Sequence, residues 1–255
     1  MPGDGPVEMP FLDHLEELRW RLLWSVGALM LGVAIAFFIV FQYDVISILA
    51  TPIARYLPDG RLVYTHPLDP LSIAMKASFA IGTIFALPVI LYQLWRFLAP
   101  ALYQHEKRLA IPIVVGAALL FLGGVSLAYF VVLPLTLSFL ATFQAASLQP
   151  MITARDYFGF AISMSLTFGV VFELPVAVLA LSALGIVNSG MLGRWRRHAV
   201  IFCVVGAAFV TPGSDVISLV ALAIPVYFLY ELSIGLSRLV ERRRARRAAA
   251  EAAAA

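Results

Sequence analysis

The sequence predicts an all-α membrane protein with six transmembrane helices, both termini cytoplasmic, a short amphipathic N-terminal helix, and short fifth and sixth helices. Three observations carry that expectation. Only 13% of the residues are charged and 62% are hydrophobic, whereas soluble domains carry about 25% charged residues and cannot hide so much apolar surface. The apolar residues fall into long blocks without a formal charge, such as 22–43 and 77–95, each long enough for the ~20-residue crossing of a bilayer. The basic residues are also unevenly shared between the connections. Arg19, Arg21, Arg96, Lys107, Arg108, Arg194, Arg196, Arg197, Arg238 and the five arginines from 242 to 247 make 14 of the 18 Lys and Arg. The alternate connections hold Arg55, Arg61 and Arg155, with Lys76 near a helix start, so the positive-inside rule assigns the first set to the cytoplasm.

In chain order, the first element is the segment 9–22, MPFLDHLEELRWRL. Phe11, Leu15, Leu18 and Leu22 recur at spacings of three and four, while Asp13 and Glu17 project from one polar side. Pro10 suits a first helical position and the early acids suit the helix dipole. The reading is an amphipathic helix on the membrane surface. Acidic residues occupy the place of a positive n-region and no small-residue cleavage site follows 22–43, so the first span is expected to stay as an anchor.

Charges and Pro/Gly clusters place the spans at about 22–43, 73–97, 109–133, 157–186, 198–211 and 216–236. They form one polytopic domain over 1–240, followed by a basic and then Ala-rich cytoplasmic tail, 241–255, whose last eight residues are expected to be disordered. The uncharged stretch 109–154 is too long for one crossing. Pro134 and Pro150 are expected to break it, leaving a helix to about Leu133 and an apolar outer connection. That connection and 44–71 are expected to pack on the helices. The last two apolar runs are short: 199–210 has 12 residues, or ~18 Å of helix against ~30 Å of hydrocarbon. Snorkelling, tilt or local thinning of the bilayer absorbs such a mismatch.

Several functions are disfavoured by the same reading. The single cysteine, Cys203, cannot form an internal disulfide. The net charge of +3 comes mostly from ERRRARR, 241–247, next to the last span, which reads as an orientation signal and a contact for anionic lipid rather than for nucleic acid. No H-E-x-x-H, G-x-S-x-G or Walker A pattern occurs, and His14, His66, His105 and His198 lie near span ends or in loops. Neither an enzyme, a metal site nor a cofactor is expected.

Two acids remain to be explained. Glu106 stands in the cytoplasmic loop 99–108 among cations, where pairing with Lys107 or Arg108 is the plain alternative to a binding role. Glu173, in Phe172-Glu173-Leu174-Pro175, lies inside the fourth span, where an ionisable group costs a few kcal/mol and usually faces a bundle interior or a wet cavity. Pro175 frees a backbone carbonyl one turn earlier. A proton- or ion-coupled secondary transporter using Glu173 is the competing reading, although the last three spans do not repeat the first three.

The ordered set Asp13-His14-Leu15-Glu16-Glu17-Leu18-Arg19, 87–95 (LPVILYQLW), Pro100-Ala101-Leu102-Tyr103 with Glu106, Ala128-Tyr129-Phe130, Phe172-Glu173-Leu174-Pro175 and Thr211-Pro212 resembles the twin-arginine translocase C subunit family, TatC. The resemblance spans residues 11–240. It implies a receptor for signal peptides bearing paired arginines, whose cargo crosses the cytoplasmic (inner) membrane already folded. It also implies that Glu17 and Glu106 engage those arginines, with Phe97, Tyr103, Arg19 and Gln93 shaping the pocket. Glu173, Pro175 and Asp215 match an intramembrane groove that contacts the peptide or a partner helix. Gly213 and Ser214 stand where the family often has a second proline before Asp215, and Leu219 replaces a commonly polar residue. The implied partners are the single-span TatA and TatB subunits and further copies of the receptor, since one six-helix chain has no room for a pore that passes a folded domain.

Overall fold

The structure is a computed structural model that describes residues 11–57, 60–98, 110–142, 151–210 and 216–254. It is a helical bundle. Among the described residues, the sole β-type pairing is a bridge between Val63 and Thr153. Helix α1 spans Phe11–Gln42, α2 Val45–Ala54, α3 Asp69–Leu98, α4 Ala110–Leu127 and α5 Leu133–Thr142, with a π-helical turn, Ala128–Val132, between the last two. The remaining helices are α6 Ala154–Phe172, α7 Leu174–Ala183, α8 Ser189–Arg194, α9 Arg196–Val210 and α10 Val216–Ala254. Among the described residues, five helical stretches are long and apolar enough to cross a membrane: Leu15–Gln42, Asp69–Phe97, Ile111–Leu140, Ala154–Ser182 and Leu219–Leu239. The sixth expected span is α9, whose 15 residues reach only about 22 Å.

Four boundaries depart from the sequence expectation. The amphipathic segment is continuous with the first span in one 32-residue helix, because nothing between Leu15 and Leu22 interrupts helical hydrogen bonding. The third span does not stop at Leu133: Leu133 N–H donates to the carbonyl of Ala128, and the helix runs on to Thr142. The wider π turn shifts the register so that Pro134, which has no N–H to give, falls in the first turn of α5. The outer connection contains a further helix, α2, whose first turn is capped by the Asp44 carboxylate accepting from Ser47 N–H at 3.3 Å. Finally, α10 continues through the basic tail to Ala254, so the Ala-rich end is helical rather than disordered, as the high helix propensity of alanine favours.

Glycines set the closest approaches. A Cβ on Gly32 would lie 2.6 Å from the Gly82 carbonyl oxygen, and one on Gly82 would lie 2.6 Å from the Val33 Cα. Helices α1 and α3 therefore touch backbone to backbone, antiparallel, with Val40, Ala74 and Ala77 packed beyond the glycines. Gly124 and Gly169 do the same for α4 and α6, against the Phe168 carbonyl and the Phe121 ring. In lipid, where the hydrophobic effect cannot drive helices together, such small-residue contacts supply dispersion energy that larger side chains would prevent.

The largest buried cluster lies at the end of the bundle that carries α2, where Ile53, Ile73, Val132, Leu133, Tyr157 and Phe158 meet. The outer connections do pack there. Ala154 N–H donates to Val63 O at 2.8 Å. Asp69 accepts from the backbone of Thr65 and His66 and lies 3.8 Å from Arg155. Pro52 lies four residues after Ile48 within α2 and cannot donate to the Ile48 carbonyl. The Tyr129 hydroxyl donates to it instead at 2.7 Å, and Tyr157 donates to the adjacent Leu49 carbonyl at 2.8 Å.

Candidate functional site

Glu17, Trp20, Arg21 and Trp24 recur at helical spacing along one face of α1. The antiparallel contact through Gly32 and Gly82 brings that face beside the last turns of α3, where Gln93 and Arg96 stand three residues apart. Together these six side chains line an open cavity of about 530 Å³ at the end of the bundle opposite α2. Glu17 and Arg21 form an ion pair within α1, in which the Arg21 Nε also donates to Glu17 Oε1 at 3.1 Å. The Trp20 and Trp24 side chains are 59% and 65% exposed. The cavity thus holds a carboxylate already engaged by a guanidinium and flanked by aromatic surface. A carboxylate accepts the planar donor fork of a guanidinium, and indole faces attract a cation.

Of the residues expected to bind, Glu17 and Gln93 share this cavity. Arg19 is exposed two residues beyond Glu17, on a different side of α1, and does not line it. Phe97 lies one turn beyond Gln93 and is partly buried without being part of the lining. Glu106, Tyr103 and Asp215 lie outside the described residues. Trp20, Arg21, Trp24 and Arg96 were not singled out in the sequence, although the spacing of the first three from Glu17 placed them on its helix face.

Glu173 occupies a one-residue hitch between α6 and α7. Its N–H donates to the Val170 carbonyl at 3.1 Å, and Pro175, four residues past Val171, has no N–H for the Val171 carbonyl. The Pro175 side chain is fully buried. The Glu173 carboxyl lines a small cavity of about 90 Å³ with Leu91, Leu94, Trp95 and Ile113. Both carboxyl oxygens and the Trp95 indole nitrogen are buried without a hydrogen-bond partner among the described residues. Unsatisfied buried polar groups cost free energy, and here a donor and an acceptor belong to residues that line one apolar cavity. Trp95, read from sequence as part of an apolar run and of the motif 87–95 but given no role of its own, is the donor. No group of three or more His, Cys, Asp or Glu able to hold a metal occurs among the described residues.

The sequence profile of Sec-independent protein translocase protein (TatC) matches residues 13–225. The protein of that name from Aquifex aeolicus (strain VF5) is 41% identical over 238 residues, covering 92% of this chain and 98% of the relative. The one from Escherichia coli (strain K12) is 37% identical over 230 residues, covering 90% and 88%. A crystal structure described as the twin-arginine translocase receptor TatC has a TM-score of 0.75 and 42% identity, covering 89% of this chain and 98% of its own. A second, in DDM, has a TM-score of 0.77 and 40% identity, covering 88% and 99%.

Proposed function

The chain belongs to the TatC family, the receptor subunit of the Sec-independent twin-arginine translocase, and from that premise we propose that Glu17 receives a guanidinium of the signal peptide. The observation that carries this reading is the Glu17–Arg21 ion pair inside the cavity of Trp20, Trp24, Gln93 and Arg96. A carboxylate that already binds one guanidinium can exchange it for another with little change in geometry. Lysine is a poorer replacement, because its ammonium is a compact, strongly hydrated charge without the planar fork. Arg21 in the unliganded protein then stands where the peptide's arginine goes. Gln93 offers an amide to the peptide backbone, while Arg96 repels cations on one side and so restricts the approach.

Glu106 is the second carboxylate of this proposal and Tyr103 a further pocket residue, both assigned by resemblance alone, and Arg19 is exposed two residues beyond Glu17. Paired arginines need two acceptors, which is why one glutamate alone would not select the doublet. Glu173 and Trp95 form the intramembrane contact, where a polar group of the peptide or of a single-span partner would satisfy both. TatA- and TatB-type subunits and further copies of the receptor supply the passage. The site-bearing end of the bundle faces the cytoplasm, and both termini lie there in the inner membrane, as the basic residues indicate. The family relationship displaces the coupled-transporter reading of Glu173.

The test is photo-crosslinking of twin-arginine and twin-lysine signal peptides to the protein in nanodiscs. Selective capture of the arginine peptide near residues 17–24 and 93–96, lost in Glu17→Ala, is the expected result. Equal capture of both peptides, or capture unchanged in Glu17→Ala, removes the assignment.

A further inference from the structure

A third cavity, which shares α7 with the Glu173 cavity but is lined by Leu174, Val178 and Leu181 instead of Glu173, Val176 and Ala177, runs between α7, α9 and α10. Its volume is about 460 Å³, and its walls include Leu174, Val178 and Leu181 of α7, Phe202 and Gly206 of α9, and Val226 of α10. The lining is apolar almost throughout. The Tyr230 hydroxyl, which lines it, is spent on the Leu192 carbonyl at 2.7 Å. At one end the groove reaches the corner between α8 and α9 through Met191 and Trp195, the latter 53% exposed.

That end is cationic. Arg194 immediately precedes Trp195 and Arg197 follows it by two residues, both exposed, and His198 packs its ring against Trp195 at 5.4 Å between centroids. Arg238 and Arg242 are exposed on α10, the helix that packs against α8. The carboxylates of this corner are already engaged. Glu231 bonds Arg196 at 2.7 Å, and Glu241 accepts from Ser189 N–H at 2.6 Å and from its hydroxyl at 2.5 Å. Burial pushes the Glu241 carboxyl up, but the bonds from Ser189 outweigh it and hold it below its usual range.

We propose that this groove is a binding site for an anionic phospholipid, with an acyl chain along α9 and the phosphate headgroup at Arg194 and Arg197. Three features select that occupant. The apolar slot ends at an amphipathic indole, the arrangement found where hydrocarbon gives way to headgroups. Each methylene buried there contributes ~0.8 kcal/mol relative to water, which orders a chain but carries no headgroup preference. The preference comes from the arginines, since basic residues near a membrane surface attract anionic lipid by about 1 kcal/mol each, or roughly fivefold. A transmembrane helix fits less well. A helix ~10 Å wide fills roughly the whole groove volume in one 5.4 Å turn and would leave the rest of its length outside.

The test uses the full chain with Trp20, Trp24 and Trp95 changed to phenylalanine, so that Trp195 reports alone, in phosphatidylcholine vesicles. Equal fractions of chain-brominated phosphatidylglycerol or chain-brominated phosphatidylcholine are then added as quenchers. Quenching of Trp195 by the anionic lipid is expected to exceed that by the zwitterionic one severalfold. The preference is expected to fall about fivefold in Arg194→Gln or Arg197→Gln. Gly206→Leu is expected to abolish the excess quenching. A Cβ at Gly206 meets nothing within 4 Å, so the larger side chain enters the groove without disturbing the backbone. Equal quenching by both lipids, or a preference that survives both arginine substitutions, overturns the proposal. So does loss of quenching on adding a single-span subunit, which would give the groove to a protein helix. Should the triple tryptophan variant not fold, lipid retained by the otherwise unaltered chain after mild detergent extraction decides the matter. Phosphatidylglycerol enriched over phosphatidylcholine, and less so in Arg194→Gln, supports the site; identical ratios overturn it.

Discussion

Removing Arg21 should tighten binding of a twin-arginine peptide rather than weaken it. In the unliganded protein its guanidinium occupies Glu17, so the peptide must displace it before forming its own bonds. The side chains of Arg21 and Glu17 are only 13% and 21% exposed, so the pair is less screened than a fully solvated one. Helical pairs of this spacing contribute about 0.3–0.5 kcal/mol when exposed, and charge-assisted hydrogen bonds up to about 1.5–3. A displacement cost of about 1 kcal/mol lies between these bounds and corresponds to roughly fivefold in affinity. Arg21→Gln is therefore expected to lower Kd for a labelled twin-arginine peptide about fivefold in fluorescence anisotropy on nanodisc-embedded protein, with Arg21→Lys in between. Glu17→Gln is expected to remove the effect. An unchanged or raised Kd in Arg21→Gln, with the protein still folded, would show that Arg21 orients Glu17 instead of competing for it, and the exchange mechanism would fail.

Three other outcomes follow from the geometry. Glu173→Leu and Trp95→Phe each remove one of the two buried polar groups of the intramembrane cavity; cargo export should fall more than peptide affinity, and normal export in both would reduce the pair to a structural role. Gly82→Leu drives a side chain into the Val33 backbone, only 2.6 Å from the position of its Cβ. It should cost about 1–3 kcal/mol in detergent unfolding and abolish peptide capture by separating Glu17 from Gln93, whereas wild-type capture would show that the α1–α3 contact does not position the site. Tyr129→Phe leaves the Ile48 carbonyl with neither Pro52 nor the hydroxyl as donor, at a cost of about 1 kcal/mol. Faster proteolysis or hydrogen exchange within α2 is the expected sign, and unaltered protection there would refute the hydroxyl's role.

What the sequence determined by itself was whatever depends on runs and spacings. Uncharged blocks of spanning length marked the membrane helices, because a charged side chain in hydrocarbon costs several kcal/mol, and the family pattern, ordered along the chain, pointed to Glu17, Gln93 and Glu173 as candidates. Local spacing also contained the Glu17–Arg21 pair, four residues apart, though nothing in one helix says that the pair will face a cavity. The tertiary structure decided the rest. Pro134 read as a stop, but a π turn carried the helix past it. The meeting of Trp95 with Glu173 joins residues on α3 and at the α6–α7 hitch, and the pocket around Glu17 depends on glycines that let α1 and α3 touch. Periodicity records which face of a helix is apolar or polar, whereas which other helix comes to lie on that face is set by backbone approach and packing between segments far apart in the chain.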